Sequence, residues 1–231
     1  MEFIYGKNPV KEALTACSRT FYEIMISREK ADDITSGLSG IPVHTLSKQE
    51  LDGIAKTRFH QGVVAKVSRY RYASLSSLLD LPLVVLLDCV EDPQNLGSII
   101  RSAFALADAG IIIPENRAAS ITPAVVKASA GATEHAKIAR VTNLRMAAKE
   151  LKSAGYWVVG LDAAGTMPLS GIPSYDKTAL LLGGEDTGIR KGMEKEVDIL
   201  AYISMRGSFN SLNVANSAAI ALYELASRSR R

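Results

Sequence analysis

The sequence has few of the residues on which disulfides and metal sites depend. Its 231 residues include two cysteines, Cys17 and Cys89, and three histidines. The cysteines lie in different segments and give no disulfide framework, and His44, His60 and His135 lack the spacing of a metal site. We therefore expect neither a disulfide scaffold nor a bound metal.

Long apolar runs and a strong net charge are missing as well. The first residues, MEFIYGKNPV, do not form an apolar signal region, and no run is long enough to cross a bilayer. The net charge is +3, so any surface for nucleic acid must be local. Because 47% of the residues are hydrophobic, the chain can build a core, and we expect a soluble, cytoplasmic protein.

The most informative stretch covers residues 83–108. Leu83 to Leu87 is apolar without alternation, which is typical of a parallel strand covered on both faces. A turn with Pro, Asn and Gly follows, and Asp92 or Asn95 can cap the next helix. The predicted buried stripe of that helix is Leu96, Ile99, Ile100, Ala103 and Ala107.

Arg101 lies off this stripe, one helical turn beyond Gly97. Helical side chains lean toward the N-terminus, which predicts a guanidinium over Gly97, near Asn95 and the carboxyl end of the strand. Ligands of open α/β sheets bind at that end, and Gly97 would leave the space open. The alternative is a solvated Arg101 behind an ordinary turn.

The pattern predicts two α/β units. Helices are expected over 9–16, 47–55 (capped by Ser47), 122–130, 144–154 and 211–227, and strands over 21–27, 42–46, 62–67, 83–87, 110–113, 136–141, 156–161, 179–182 and 199–204. The alternation in the second unit argues for a mostly parallel sheet. We divide the chain into a domain over residues 1–72, a small polar linker over 73–80 and a domain over 81–231.

A second strand ends in the loop Gly183-Gly184-Glu185-Asp186-Thr187-Gly188. Glycines let a backbone approach a ligand closely. A dinucleotide site needs G-x-G-x-x-G and an acidic residue about twenty positions further on, and here neither is present. No Lys-Ser or Lys-Thr follows, as a P-loop requires. A Rossmann oxidoreductase is therefore disfavoured, and a plain tight turn is the alternative.

A third strand leads through residues 203–210 into the closing helix. Ser211 or Asn210 is the expected cap, and Asn213 in the first turn can face a ligand. The alternative is a terminal helix that packs through Leu212, Ala219, Ile220 and Tyr223. Both can hold together.

Together, DPQNLGSIIRSA, LLLGGEDTG and ISMRGSFNSLNVANSAA resemble the three signature motifs of the SpoU/TrmH family of RNA 2′-O-ribose methyltransferases. Their order and separation also fit, over residues 81–225. The N-terminal stretches YGKNPVKEAL and HQGVVA resemble the substrate-binding domain of the branch that modifies guanosine in 23S ribosomal RNA.

The resemblance implies a deep trefoil knot, a homodimer and S-adenosylmethionine as cofactor. It implies that backbone groups at Gly183, Ile203 and Leu212 hold the cofactor, with Leu182, Gly184 and Met205 shaping the pocket. It assigns catalytic and substrate-side roles to Asn95, Arg101, Glu185, Ser211 and Asn213. Asp186 stands where the family commonly has Gly, and Ala215-Asn216-Ser217 where it has Ser-Val-Ala, which bears on target choice.

RNA contact is expected in the first domain, where positive charge and aromatic rings alternate between residues 56 and 72. The candidates are Arg58, His60, Arg69 and Arg71. A solvated charged edge is the alternative, and for His60 a packed, hydrogen-bonded side chain. We expect methyl transfer to a ribose 2′-hydroxyl, in a guanosine of 23S rRNA or a pre-ribosomal particle. The alternatives are a tRNA substrate and a noncatalytic RNA-binding assembly factor.

Overall fold

The computed structural model describes residues 1–30, 40–184, 188–207 and 211–228. A four-stranded N-terminal sheet is followed by a seven-stranded sheet. The elements, in chain order, are β1 (Glu2–Tyr5), α1 (Lys7–Ala16), β2 (Phe21–Ser27), β3 (Val43–Leu46), α2 (Lys48–Ala55), β4 (Val63–Val67), β5 (Leu83–Leu87), α3 (Pro93–Ala107), β6 (Gly110–Pro114), α4 (Pro123–Ala128), β7 (Ile138–Val141), α5 (Leu144–Ser153), β8 (Trp157–Leu161), β9 (Met167–Pro168), β10 (Thr178–Leu182), α6 (Lys191–Glu194), β11 (Ile199–Tyr202) and α7 (Val214–Arg228).

The N-terminal sheet has the order β1-β4-β2-β3, with β1 and β2 antiparallel to β4 and β3 parallel to β2. Helix α2 begins as predicted: the Ser47 hydroxyl accepts from the Glu50 backbone N–H, and the Glu50 carboxylate accepts from the Ser47 N–H. Strand β1 was not predicted, because four residues beside the terminus carry too little pattern.

The C-terminal sheet is parallel throughout, in the order β7-β6-β5-β10-β8-β11-β9. All five residues of β5 and all five of β10 are buried, as expected for strands covered on both faces. The predicted α/β class with a parallel sheet is confirmed. The trefoil knot stays a prediction from the resemblance.

Helix α3 has the predicted cap and most of the predicted stripe. The Asp92 side chain accepts from the Gln94 backbone N–H at 3.0 Å. Four of the five expected core residues are buried, and Ala107 is half-buried. Arg101 is exposed, as its position off the stripe requires.

Helix α7 differs from the prediction in its start and in its buried face. It begins at Val214, three residues later than expected. The expected packing residues Leu212, Ile220 and Tyr223 are 39%, 42% and 65% exposed. The core is formed instead by Val214, Ala215, Ala218, Ala221, Leu222 and Leu225. Small alanines on this face let α7 lie close to α3, which a search for large apolar residues overlooks.

The segment predicted as a linker is packed against the second sheet. Residues Leu75–Leu78 form a short 3₁₀ helix, and Leu78 is fully buried. The Ala73 N–H donates to the Ile138 carbonyl at 2.8 Å, beside β7. Although this segment is rich in small polar residues, it is packed against the sheet and is not an extended linker.

A buried ion pair joins the two domains. The Arg19 guanidinium donates through Nε and Nη2 to the two carboxylate oxygens of Glu134, each at 2.7 Å, and it also contacts Glu2. The side chains of Arg19 and Glu134 are 1% and 0% exposed. Burial lowers the pKa of Arg19, but hydrogen bonds and charge from Glu134 and Glu2 outweigh it and raise the pKa.

Further contacts surround this pair. His135 Nε2 lies 2.9 Å from a Glu12 carboxylate oxygen, and Lys127 Nζ donates to Gln61 Oε1 at 2.6 Å. Gly131 has a φ of +93°, and a Cβ there would lie 2.7 Å from the Cβ of Glu12. One continuous hydrophobic core runs through both domains. The N-terminal domain is therefore docked on the second.

Within the described ranges, no helix has the length and apolar character that a membrane span needs. These ranges also contain no group of three or more His, Cys, Asp or Glu side chains placed to hold a metal ion.

Glu134→Gln should lower the free energy of unfolding by about 3–5 kcal/mol, because it leaves the buried Arg19 without its main counter-charge. Glu12→Gln is the matched control, since its pair with His135 is partly exposed and should contribute less than about 1 kcal/mol. Denaturant unfolding measures both values. Equal losses for the two variants would show that burial does not set the strength of the docking contacts.

Candidate active site

A cavity of about 540 Å³ opens at the carboxyl ends of β8, β10 and β11. Its volume lies within the range of about 300–1,000 Å³ for small-molecule sites. Parallel strands bring their carboxyl ends to one edge, so the loops after them surround the cavity. The described lining residues are Leu161, Asp162, Ala163, Leu182, Gly183, Gly184, Gly188, Tyr202, Ile203, Met205, Gly207, Ser211, Leu212, Asn213, Val214 and Ser217.

The six residues assigned to cofactor binding all line this cavity. Three of them end β10 or follow it, and three belong to the loop after β11: Leu182, Gly183, Gly184, Ile203, Met205 and Leu212. The structure therefore brings together two loops that are separate in sequence. The binding roles themselves stay predictions.

The two glycines at the end of β10 are required by backbone packing. A Cβ on Gly183 would lie 2.1 Å from the carbonyl carbon of Gly188, and one on Gly184 would lie 2.5 Å from the carbonyl oxygen of Cys89. The Gly188 N–H donates to the Gly184 carbonyl at 3.0 Å, so the two described ends of the loop lie close together, which agrees with the tight-turn alternative. Gly183, Gly184 and Gly188 also line the cavity, so close packing and a ligand-facing position are compatible.

Asn213 connects the cavity to helix α3. Its Nδ2 donates to Asn95 Oδ1 at 3.0 Å, and Asn95 is 8% exposed. Asn213 Oδ1 accepts from the backbone N–H groups of Ala215 and Asn216, at 2.9 and 3.4 Å. Asn213 is thus the cap of α7, and the prediction of Ser211 or Asn210 was wrong on this point. Ser211 lines the cavity and is exposed.

Arg101 does not line the cavity, and Gly97 does not leave open space. Gly97 is buried against α4, where an added Cβ would lie 2.4 Å from the Cβ of Ala128. This glycine therefore allows two helices to approach closely. Arg101 is exposed one turn further on and has no ion-pair partner among the described residues.

Some predicted positions lie outside the described residues. They are Glu185, to which the resemblance assigns a catalytic or substrate-side role, Asp186, and the cap candidate Asn210. Of the two departures in the third motif, Ala215 is buried in the core face of α7, and Asn216 is exposed.

Asp162 is a cavity residue that the sequence argument missed. It directly follows β8, and its Oδ1 accepts from the Ala164 backbone N–H at 2.9 Å. Its Oδ2 lies 3.0 Å from the position that a Cβ on Gly188 would take. An acidic residue just after a buried parallel strand is a signal that could have found it.

Asp88, the residue after β5, holds the far end of the glycine loop. Its fully buried carboxylate accepts from Arg190 Nε at 2.7 Å and from the Arg190 backbone N–H at 3.1 Å. The hydrogen bond to Asp88 raises the pKa of Arg190. Burial, together with the Asp88 charge, raises the pKa of the neighbouring Cys89 thiol. Asp88 therefore holds Arg190 in place, and its carboxylate does not face the cavity, although it directly follows β5.

The four RNA-binding candidates occupy two different environments. Arg58, Arg69 and Arg71 are exposed. His60 is 1% exposed, and both ring nitrogens are engaged: Nδ1 accepts from the Gly62 N–H at 2.9 Å, and Nε2 lies 2.8 Å from Asp52 Oδ1. The prediction that His60 contacts RNA does not fit this environment, and the packed alternative describes it.

The aromatic rings near these arginines also differ in exposure. Tyr70 and Tyr72 form an edge-to-face pair with centroids 5.1 Å apart, and Tyr70 packs on Arg19 at the domain interface. Burial raises the pKa of Tyr70. Phe59 is 77% exposed. Phe59 is therefore the ring that a base could reach.

Family models match both parts of the chain. A model described as the SpoU rRNA methylase family matches residues 82–223, and one described as RNA 2′-O ribose methyltransferase substrate binding matches residues 3–73. The chain belongs to the SpoU family. The chain is therefore an RNA methyltransferase of this family, as the resemblance implied.

Individual relatives cover nearly the whole chain. YacO of Bacillus subtilis, named for the TrmH family of tRNA/rRNA methyltransferases, is 35% identical over 97% of this chain and 94% of its own. The SpoU methyltransferase AviRb of Streptomyces viridochromogenes, solved with AdoMet, matches with a TM-score of 0.83 and 26% identity over 99% and 90% of the two chains. An AdoMet-bound rRNA methyltransferase of Sinorhizobium meliloti matches with a TM-score of 0.82 and 26% identity over 98% and 87%.

Asn213→Ala should destabilise the chain by about 1 kcal/mol, because it removes the acceptor that caps α7. Asn213→Asp keeps the capping acceptor but loses the donor to Asn95, so it should destabilise the chain less than Asn213→Ala does. Thermal unfolding measures both. If the two variants unfolded at the same temperature, Asn213 would not stabilise α7 through its cap.

Proposed function

We propose that this chain transfers a methyl group from S-adenosylmethionine to a ribose 2′-hydroxyl of RNA, in a guanosine of 23S rRNA. The division into a substrate-binding domain (1–72), a linker (73–80) and a catalytic domain (81–231) is part of this proposal, as is action in the cytoplasm. The observation that carries the proposal is the charge and composition of the cavity at the end of β10.

Asp162 is the only charged residue among the described lining residues of the cavity. The remainder are glycines, apolar residues and neutral polar residues. A dinucleotide brings a negatively charged pyrophosphate, which binds free helix N-terminal N–H groups or basic side chains. Here the N-terminus of α7 is already capped by Asn213. The cavity therefore favours a cofactor that carries positive charge, as a sulfonium does.

When bound, S-adenosylmethionine supplies a methyl group on a positively charged sulfur. Backbone groups at Gly183, Ile203 and Leu212 are the proposed cofactor contacts. The Asn95–Asn213 hydrogen bond fixes the cavity wall against α3. Since the donor is already activated, the chain's main contribution is alignment of the two reactants.

Arg101 is the proposed contact for the target phosphate or the developing alkoxide. Arginine side chains keep their proton in proteins, so a neutral guanidine base would be costly. A guanidinium instead stabilises negative charge on the attacking oxygen. An RNA phosphate oxygen or water accepts the hydroxyl proton, while the guanidinium keeps its own protons and donates to the attacking oxygen.

The N-terminal domain offers a basic cleft of about 800 Å³ for RNA. Lys7, Arg28, Lys48 and Arg58 line it and are exposed, and Glu29 is the acidic residue among the described lining. Such a cleft suits phosphate pairing, and the exposed Phe59 suits base stacking. The match to a substrate-binding model over this domain, and a whole-length neighbour named an rRNA methyltransferase, support rRNA over tRNA.

We also propose a homodimer through α3 and α7. These helices pack on each other and leave Ile220 and Tyr223 exposed on the outer face of α7, with Leu212 just before it. Exposed apolar side chains grouped in this way are typical of interaction surfaces. Arg101 is exposed on α3, the helix against which α7 packs, and we propose that this dimer puts Arg101 at the subunit boundary.

Labelled methyl should move from S-adenosylmethionine to unmodified 23S rRNA and not to unmodified tRNA. Arg101→Ala should lower the rate by about 10²-fold, the usual loss when one donor to a developing oxyanion is removed. Calorimetric binding of S-adenosylmethionine should be unchanged in this variant, since Arg101 does not line the cavity. Lys137→Gln, at the opposite edge of the sheet, is the matched control for loss of one positive charge.

Other outcomes of this assay separate the alternatives. Label in tRNA alone would keep the enzyme class and overturn the substrate. Cofactor binding without label in either RNA would point to a particle substrate or a noncatalytic RNA binder. Near-normal transfer by Arg101→Lys would show that the fork geometry of arginine is unnecessary.

Light scattering should give twice the mass of one chain, and Tyr223→Arg should shift it toward the monomer. The substitution places a charge where the proposed interface is apolar. Met146→Arg is the control, because Met146 is 59% exposed on α5, away from α7. A dimer that persists in Tyr223→Arg, or is lost equally in Met146→Arg, would contradict this interface.

A further inference from the structure

A second cleft, of about 410 Å³, lies at the same carboxyl edge of the sheet as the cofactor cavity. It is bounded by Pro114 at the end of β6 and Thr142 after β7, and three arginines line it: Arg117, Arg145 and Arg190. We call it the arginine cleft. The SpoU motifs account for none of the three arginines.

Two of the arginines are held from beneath by buried carboxylates. Arg190 Nε donates to Asp88 at 2.7 Å, and Arg145 Nε donates to Glu196 at 2.6 Å. The carboxylate side chains are 0% and 8% exposed, whereas Arg190 and Arg145 are 37% and 45% exposed. A guanidinium has five donors, so each keeps N–H groups for an acceptor in the cleft. Because the carboxylates already hold both arginines in place, the arginine side chains would lose little conformational entropy when a ligand binds.

The third arginine adds charge that is not balanced. Arg117 is exposed, and the described residues contain no carboxylate paired with it. It sits in the left-handed region, with φ +57°, in the turn after β6. Helix α5 also begins at the cleft, but Asn143 caps it by accepting from the Met146 N–H, so the positive charge of the cleft comes from the arginines.

The arginine cleft is linked to the cofactor cavity, the cavity of about 540 Å³ described above, through residues that line neither site. Asp88, which holds Arg190, is followed by Cys89, and the Cys89 carbonyl packs against Gly184 in the cavity lining. A strand of RNA that reaches the cavity along this edge would therefore pass the three arginines.

We propose that the arginine cleft binds phosphate groups of the RNA strand beside the nucleotide that is methylated. Arginine forks match the oxygen geometry of phosphate, and such contacts set the position of a nucleic acid without reading its sequence. This inference rests on the proposed function, because it takes RNA as the substrate.

The sharpest variant is Arg117→Asn, since asparagine tolerates positive φ and the change breaks no ion pair. KM for 23S rRNA should rise about tenfold, the cost of one charged hydrogen bond, and kcat should stay within about twofold. In filter binding of labelled 23S rRNA, the slope of log affinity against log salt should fall by about 1. Lys137→Gln should leave both quantities unchanged.

Arg145→Lys is a second variant, because it keeps a cation beside Glu196 and removes the planar fork. Arg145→Lys should also raise KM for 23S rRNA, by a smaller factor than Arg117→Asn, and it should leave the melting temperature unchanged. Arg117→Asn with the parent KM and salt slope would overturn the phosphate site, even if methyl transfer is established. If Arg117→Asn lowered the salt slope of rRNA binding but the parent chain transferred no methyl group, the phosphate site would be supported and the proposed reaction rejected.

Discussion

The site depends on the register of three neighbouring parallel strands. Leu182 of β10 pairs with Leu87 of β5 on one side and with Leu161 of β8 on the other. The residues that follow them are Asp88, Gly183 and Asp162, so the strands end level with each other. A shift of one residue would turn every side chain in a strand to the opposite face and bury a carboxylate without its partner. Because β5 and β10 are buried on both faces, the polar residues at their ends fix this register, above all Asp88 with its partner Arg190. The loops that surround the cavity start from these ends.

Local patterns predicted the elements around this register but not the register itself. The apolar run at β5, the Asp92 cap and the stripe of α3 are encoded within a few residues, and the structure confirms them. The placement of β10 between β5 and β8 joins segments far apart in the chain, for which periodicity carries no signal. The family resemblance supplied the grouping of Gly183, Ile203 and Leu212, which the cavity lining then showed to be adjacent.

The predictions that failed concern residues whose surroundings come from another element. Gly97 is a glycine because α4 packs on it. His60 is buried and enclosed by its contacts with Asp52 and Gly62. Glycine and histidine are both residue types that suit a ligand site. Their packing is tertiary, so residue type and spacing alone could not decide between the functional and the packed role.

The charges of the described structure separate into two groups. Its buried side-chain nitrogen and oxygen atoms all have hydrogen-bond partners, so Asp88, Glu134 and Glu196 are satisfied by arginines within the fold. The polar groups that can still bind a ligand are therefore those that line the cavities. Around the cofactor cavity these are Asp162 and neutral groups, whereas both other clefts discussed above present cations. A cationic cofactor and a polyanionic RNA would each find the cleft of opposite charge. The cofactor cavity and the arginine cleft have no described lining residue in common and open at the same carboxyl edge of the sheet, so the two reactants would approach along one edge without competing for the same site.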